Sequence, residues 1–203
     1  DLEYIINHAG DRIILADADL LAALEPLAGQ LPTVEKIVVC SDNPWSSSLP
    51  NTVDYEDFIA GHGEDYEWPI IDENSPLGLC YTSGTTGKPK GVMYTHRSTY
   101  LHTMAIAMTD TMNLSAVDCL CGIVPMFHAM GWGLPFAALM LGCKQALPHR
   151  FMVPDRLLDL FESEQVTISA GVPTIWQGVR ASLEAEPERW SLTSISRLTC
   201  GGS

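Results

Sequence analysis

The chain has 203 residues, 46% hydrophobic and 18% charged, a balance that suits a soluble globular protein and excludes disorder and coiled coil. Its net charge of −14, with 11 Lys and Arg against 25 Asp and Glu, excludes wide contact with nucleic acid, since phosphate neutralisation needs clustered cations. No apolar run reaches the roughly 18 residues of a membrane span, and the start at Asp1 has no basic segment followed by an apolar one.

In chain order, Leu2, Ile5, Ile6 and Ala9 share a helical face that Gly10 can terminate, and Arg12 to Ala16 is a short apolar run. Asp19 is placed to cap a helix carrying Leu20, Leu21, Leu24 and Leu27, with Pro26 and Gly29 at its weak end; Lys36 to Cys40 supplies the next strand. Strands separated by helices predict parallel pairing, hence an α/β layered fold. Residues 41–76 break every period with Pro, Gly and Ser, and no Lys or Arg occurs between Lys36 and Lys88. They predict an acidic surface connector without chemistry of its own.

Beyond it the spacing predicts a strand at Leu77 to Tyr81, a loop, and a second apolar run at Val92 to Tyr94. A helix capped by Thr95 follows, with Tyr100, Met104, Met108 and Met112 as a core stripe. Further elements are a strand at Leu120 to Val124, a helix at Leu134 to Leu141, a helix opened by Pro154, a strand at Val166 to Ala170, a helix from Pro173 and a strand at Ile195 to Thr199. Cys40, Cys80, Cys119, Cys121, Cys143 and Cys200 form no C-x-x-C pair, so they read as buried free thiols in a reducing, cytoplasmic setting.

The loop Tyr81-Thr82-Ser83-Gly84-Thr85-Thr86-Gly87-Lys88-Pro89-Lys90-Gly91-Val92 joins close-approach glycines to a dense set of hydroxyls and two lysines. Charge-assisted hydrogen bonds from such groups suit phosphate oxygens, so a triphosphate is the natural guest. The kinase-type nucleotide loop is excluded by spacing, because two residues rather than four separate Gly84 from Gly87, and Pro89 follows Lys88.

Residue for residue this loop resembles the signature of the adenylate-forming superfamily, which holds acyl-CoA synthetases, adenylation domains of peptide synthetases and luciferases. Three further stretches are similar to later family motifs, in the same order: Pro125-Met126-Phe127-His128 with Gly131-Trp132-Gly133, then Gly171-Val172-Pro173-Thr174, then Thr199-Cys200-Gly201-Gly202-Ser203. Within the superfamily, Trp68-Pro69, Asp72-Glu73 and the His128 to Trp132 spacing resemble medium-chain fatty-acid and methylmercaptopropionate CoA ligases.

The resemblance implies a partial N-terminal AMP-binding domain over 1–203, with the phosphate loop at 81–92, the acidic connector at 41–76 and the C-terminal domain absent. It implies ATP-dependent conversion of an apolar carboxylic acid to an acyl-adenylate and then to a CoA thioester, with ATP, Mg²⁺ and coenzyme A as cofactor and co-substrates. Thr82, Ser83, Gly84, Thr85, Thr86, Gly87 and Lys90 are then the phosphate contacts, Gly201 and Gly202 the start of the nucleotide loop, and Thr82 a metal contact. His128 and Lys90 become the catalytic candidates; His128, Trp132, Gly133, Val172 and Pro173 become the acid contacts. His62, His96, His102 and His149 receive no chemistry. Aryl or amino-acid adenylation with transfer to a carrier protein, and a nucleotide-binding module without turnover, stay open as alternatives; homo-oligomerisation is also open. The chain by itself is expected to be an incomplete, inactive piece that exposes apolar surface.

Overall fold

The computed structural model describes residues 1–83, 87–150 and 152–202. The chain divides into two compact units, Asp1–Ile71 with Tyr81–Gly91 and Asp72–Cys80 with Val92–Ser203. In the first unit, α1 (Leu2–Ala9) ends on Gly10 at φ 71°, a left-handed position that glycine takes without steric cost. Strands β1 (Ile13–Asp17), β2 (Lys36–Cys40) and β3 (Thr52–Asp54) pair in parallel in that order. Central β2 buries Ile37, Val38 and Val39 in succession, as a parallel strand covered on both faces does.

Two expectations fail in this unit. Asp19 does not cap a helix: it lies inside a 3-10 turn, Ala18–Leu20, ahead of the single turn α2 (Leu21–Leu24), and Pro26 sits in a second 3-10 turn, Glu25–Leu27. Pro26 lacks the N–H that would carry the α-helix forward. The connector, for its part, is not featureless. It contributes β3 and then α3 (Tyr55–Ile59), whose cap Asp54 accepts the Glu56 N–H at 2.9 Å. The Trp45 indole N–H also donates to Asp54, and these two contacts hold its carboxyl below the usual range.

Strands β4 (Pro76–Thr82) and β5 (Lys90–Thr95) pair with each other. Helix α4 (His96–Ala107) opens with a capping box: Thr95 Oγ1 accepts the Ser98 N–H, and Ser98 Oγ accepts the Thr95 N–H. The methionine stripe is not its core face. Tyr100, Met104 and Met108 are exposed, whereas Thr99, Thr103 and Ile106 are buried, and the helix stops before Met112.

The second unit is built on β6 (Cys119–Gly122), β7 (Lys144–Gln145), β8 (Ile168–Gly171) and β9 (Arg197–Cys200), all parallel in the order β7-β6-β8-β9. Alternation along and just beyond β6 explains why it reads as continuously apolar. Leu120 and Val124 join Leu134, Ala137 and Ala138 of α6 (Leu134–Leu141), while Cys119, Cys121 and Ile123 join Leu157, Leu158 and Phe161 of α7 (Pro154–Glu164) and Val179 of α8 (Pro173–Ala185). Burial pushes the Cys121 thiol up to about 12. Cys80, Cys119, Cys121 and Cys143 are buried as expected, but Cys200 is exposed. No described helix is long and apolar enough to cross a membrane.

Asp118, almost fully buried ahead of β6, ties three segments together. It accepts hydrogen bonds from Thr167 Oγ1 at 2.7 Å, from the Ser115 N–H at 2.9 Å and from Arg197. Burial is the largest influence on its carboxyl and acts upward; the hydrogen bonds and the guanidinium together outweigh it and hold the group low.

Candidate functional site

The phosphate-loop candidates lie in the first unit, where β4 ends at Thr82 and β5 begins at Lys90. Thr82, Ser83, Gly87, Lys88 and Lys90 are exposed; Gly84, Thr85 and Thr86 lie outside the described residues. Gly87 takes φ 125°, a conformation closed to residues with a Cβ, which is the physical reason for glycine there. Helix α1 flanks this stretch. Its His8 Nδ1 lies 2.7 Å from the Tyr81 hydroxyl, and its Tyr4 ring carries the Lys88 ammonium 4.8 Å from the ring centre. Burial, followed by the neighbouring Tyr4 and Asp11, raises the Tyr81 phenol, so it keeps its proton at neutral pH.

The second unit contains a pocket of about 420 Å³ lined by Tyr94, Ser98, Thr99, His102, Ala129, Met130, Trp132 and Gly133. One wall is the one-turn element α5 (Ala129–Trp132), and its backbone is unusual: Ala129, Met130, Gly131, Trp132 and Gly133 all have φ between 49° and 66°. Residues with a Cβ pay roughly 1–2 kcal/mol each for that region, and such strain gathers at functional sites. Packing holds the turn. The His102 Nε2–H donates to the Trp132 carbonyl at 2.8 Å, and a Cβ at Gly133 would come within 2.7 Å of the His102 ring. Met130 fills the space over Gly78, where a Cβ would meet its sulfur at 2.3 Å.

Parallel topology brings the remaining candidates together. β6 ends at Gly122 opposite Ala170, and β8 and β9 end opposite each other at Gly171 and Cys200, so the segments leaving them emerge along one edge of the sheet, the edge at which open α/β sheets bind ligands. The Trp132 indole lies against Gly201, where a Cβ would be 2.8 Å from Cη2, and Gly202 packs on Val172. Trp132, Gly133, Val172, Gly201 and Gly202 are thus gathered from three motifs. Pro173 opens α8 and is exposed, and His128 is exposed immediately before α5, outside the pocket lining. The sequence reading passed over His102, Thr99 and Met130. The available signal was the helical register of α4, which puts Thr99 and His102 three residues apart on neighbouring positions of one face.

Among the described residues no group of three or more His, Cys, Asp or Glu is placed to hold a metal ion. Mg²⁺ usually keeps several waters and takes ligands from substrate phosphates, so the single exposed hydroxyl of Thr82 fits a minor contact to an ion carried in with a triphosphate.

These parallel α/β units have the fold of solved CoA ligases. A long-chain-fatty-acid CoA ligase from Archaeoglobus fulgidus matches the whole chain at TM-score 0.83 and 23% identity, and this chain covers 38% of it. An anthranilate CoA ligase solved with anthranoyl-AMP matches at TM-score 0.80 and 21% identity, again with 38% of that chain covered. Residues 1–203 match the AMP-binding enzyme family, and the chain belongs to it. It is 44% identical over its full length to a medium-chain-fatty-acid CoA ligase of Ectopseudomonas oleovorans, and 41% identical to a 3-methylmercaptopropionyl-CoA ligase of Ruegeria pomeroyi. The chain spans 37% and 38% of the length of these relatives.

Proposed function

We propose that this chain supplies the triphosphate loop and part of the acid pocket of an AMP-forming acyl-CoA synthetase acting on a medium-chain fatty acid or a similar apolar acid. The observation that carries the reading of the acid is the pocket lining. It joins the Trp132 indole, the Met130 thioether and the Ala129 methyl to the Tyr94, Ser98 and Thr99 hydroxyls and the His102 imidazole, with no carboxylate or ammonium, so an alkyl chain on its apolar side would gain about 0.8 kcal/mol per buried CH₂. An amino-acid ammonium would be desolvated there with hydroxyls but no carboxylate to meet its charge. Similarity to medium-chain and methylmercaptopropionate ligases points the same way.

In the proposed reaction a carboxylate oxygen bonds to the α-phosphorus of ATP as the bond to pyrophosphate breaks. The CoA sulfur then bonds to the acyl carbon and AMP departs, a far better leaving group than oxide. Two anions meet in the first step, so Lys90 and the loop residues Thr82, Ser83, Gly84, Thr85, Thr86 and Gly87 serve to hold and neutralise the β and γ phosphates. Mg²⁺, when bound, would screen the same charge. His128 orients the acid; it is not a general base, because a carboxylate has no proton to lose at neutral pH. Trp132, Gly133, Val172 and Pro173 contact the acid, and Gly201 and Gly202 begin the nucleotide contacts. A cytoplasmic setting agrees with the free thiols.

The test is to assay the full-length protein with ATP, Mg²⁺, CoA and straight-chain acids from acetate to palmitate. AMP and acyl-CoA formation with a maximum at intermediate chain length supports the reading. Activity confined to amino or aryl acids with a carrier protein would overturn it.

A further inference from the structure

Helix α1 has no part in the function proposed above, yet one of its faces touches both described ends of the phosphate loop. Tyr4 and His8 are four residues apart and therefore neighbours on the helix surface, with ring centres 5.3 Å apart. His8 meets Tyr81 edge-on, with ring centres 5.8 Å apart and an interplanar angle of 81°, and Nδ1 shares the 2.7 Å hydrogen bond with the tyrosine hydroxyl. Tyr81 directly precedes Thr82, the first hydroxyl of the loop. At the other end the Tyr4 ring holds the Lys88 ammonium, two residues before Lys90. The helix itself is fixed, with Ile6 in the core of the first unit and Gly10 closing its last turn.

A glycine-rich loop loses more conformational freedom on ordering than any other, and the entropy lost on binding is subtracted from affinity. A rigid element that grips both ends before the ligand arrives removes part of that cost. It also separates the two lysines, since a Tyr4 face that attracts Lys88 keeps that ammonium beside α1 while Lys90 begins the strand. We infer that Tyr4 and His8 are positioning residues for the phosphate loop, holding Tyr81 and Lys88 so that the loop is set to receive a triphosphate, and that they govern affinity for ATP and not for the acid. This rests on the proposed use of the loop.

The experiment compares Tyr4→Leu and His8→Ala with the shape-preserving Tyr4→Phe, which keeps the ring face, and His8→Asn, which keeps a hydrogen-bonding atom near the Nδ1 position. All four are made in the full-length enzyme. The readouts are the calorimetric Kd for MgATP without acid, and the KM for acid in acid-dependent pyrophosphate exchange. Tyr4→Leu and His8→Ala should weaken MgATP about three- to tenfold, with Tyr4→Phe and His8→Asn within about twofold of the parent and acid KM unchanged. An unchanged Kd in Tyr4→Leu and His8→Ala, or an equal loss in the shape-preserving pair, overturns the inference. A weakened Kd in a parent that performs no exchange leaves this inference standing and rejects the proposed activity.

Discussion

Lys90 and Asp118 show how differently two charged residues can be used. Lys90 stands exposed at the first position of β5, where its ammonium adds little to the core and, in the function proposed above, meets a phosphate. Lys90→Ala in the full-length enzyme should cost about 2 kcal/mol of MgATP affinity, roughly a thirtyfold rise in Kd, with an unchanged thermal midpoint. Unaltered ATP affinity and pyrophosphate exchange would remove Lys90 from the site. Asp118 works the other way, since its partners Thr167, Ser115 and Arg197 join β8, β9 and the segment before β6. Its folded carboxyl is held low, so its stabilisation is complete above the unfolded value of about 3.9 and is lost as pH falls through the lower folded value. Asp118→Asn should destabilise the enzyme by about 2–4 kcal/mol at pH 7, because Arg197 is left without its charge partner. Below about pH 4 the gap between variant and parent midpoints should narrow. A gap that stays constant between pH 7 and pH 3 would assign the effect to packing alone.

At the scale of elements, α4 and α5 differ in how much of their structure is local. The Thr95 cap was visible because a hydroxyl ahead of a helical period satisfies an otherwise orphaned N–H, and the structure has both halves of the capping box. The buried face of α4 is not the one its methionines mark. Methionines at helical spacing look like core, but Thr99, Thr103 and Ile106 take the inner face, with Thr103 Oγ1 donating back to the Thr99 carbonyl at 2.8 Å. The Thr103 hydroxyl, satisfied within its own helix, is buried cheaply, which a count of apolar residues does not register; the buried Thr99 hydroxyl has no partner among the described residues. The run of positive φ through α5 was invisible for a related reason: Ala129, Met130 and Trp132 have no intrinsic preference for it, and only packing on His102 and Gly78 sustains it. Ala129→Gly in the full-length enzyme should relieve about 1 kcal/mol of backbone strain and raise the thermal midpoint. A lowered midpoint would show that the Ala129 methyl group contributes more through packing than its backbone costs.

At the scale of the whole chain, large apolar side chains stand in water: Val117 is 89%, Phe127 77% and Leu139 75% exposed. Large apolar side chains left in water gain free energy when a second surface covers them. Residues 1–203 expressed alone should therefore self-associate at micromolar concentration on gel filtration, and should form no acyl-CoA from ATP, CoA and a fatty acid. A monodisperse monomer with measurable ATP-dependent turnover would contradict both expectations.

The sequence by itself determined the order of the strands and helices other than β3, α3, β7 and the turns around α2, the parallel α/β class, the family and most of the residues gathered at the carboxyl edge of the second sheet. These are local or motif-borne properties, since periodicity fixes elements, glycine fixes turns, and a dense loop of glycine, hydroxyls and lysine has few other physical explanations. Tertiary structure alone decided that 52–54 joins the first sheet ahead of a short helix, that His102 holds the left-handed turn beside Trp132, and that Tyr4 and His8 reach Lys88 and Tyr81. Each of those depends on residues distant in sequence, 73 positions apart for His8 and Tyr81. No local period encodes such a meeting, because it is the packing of whole elements that brings the two side chains together.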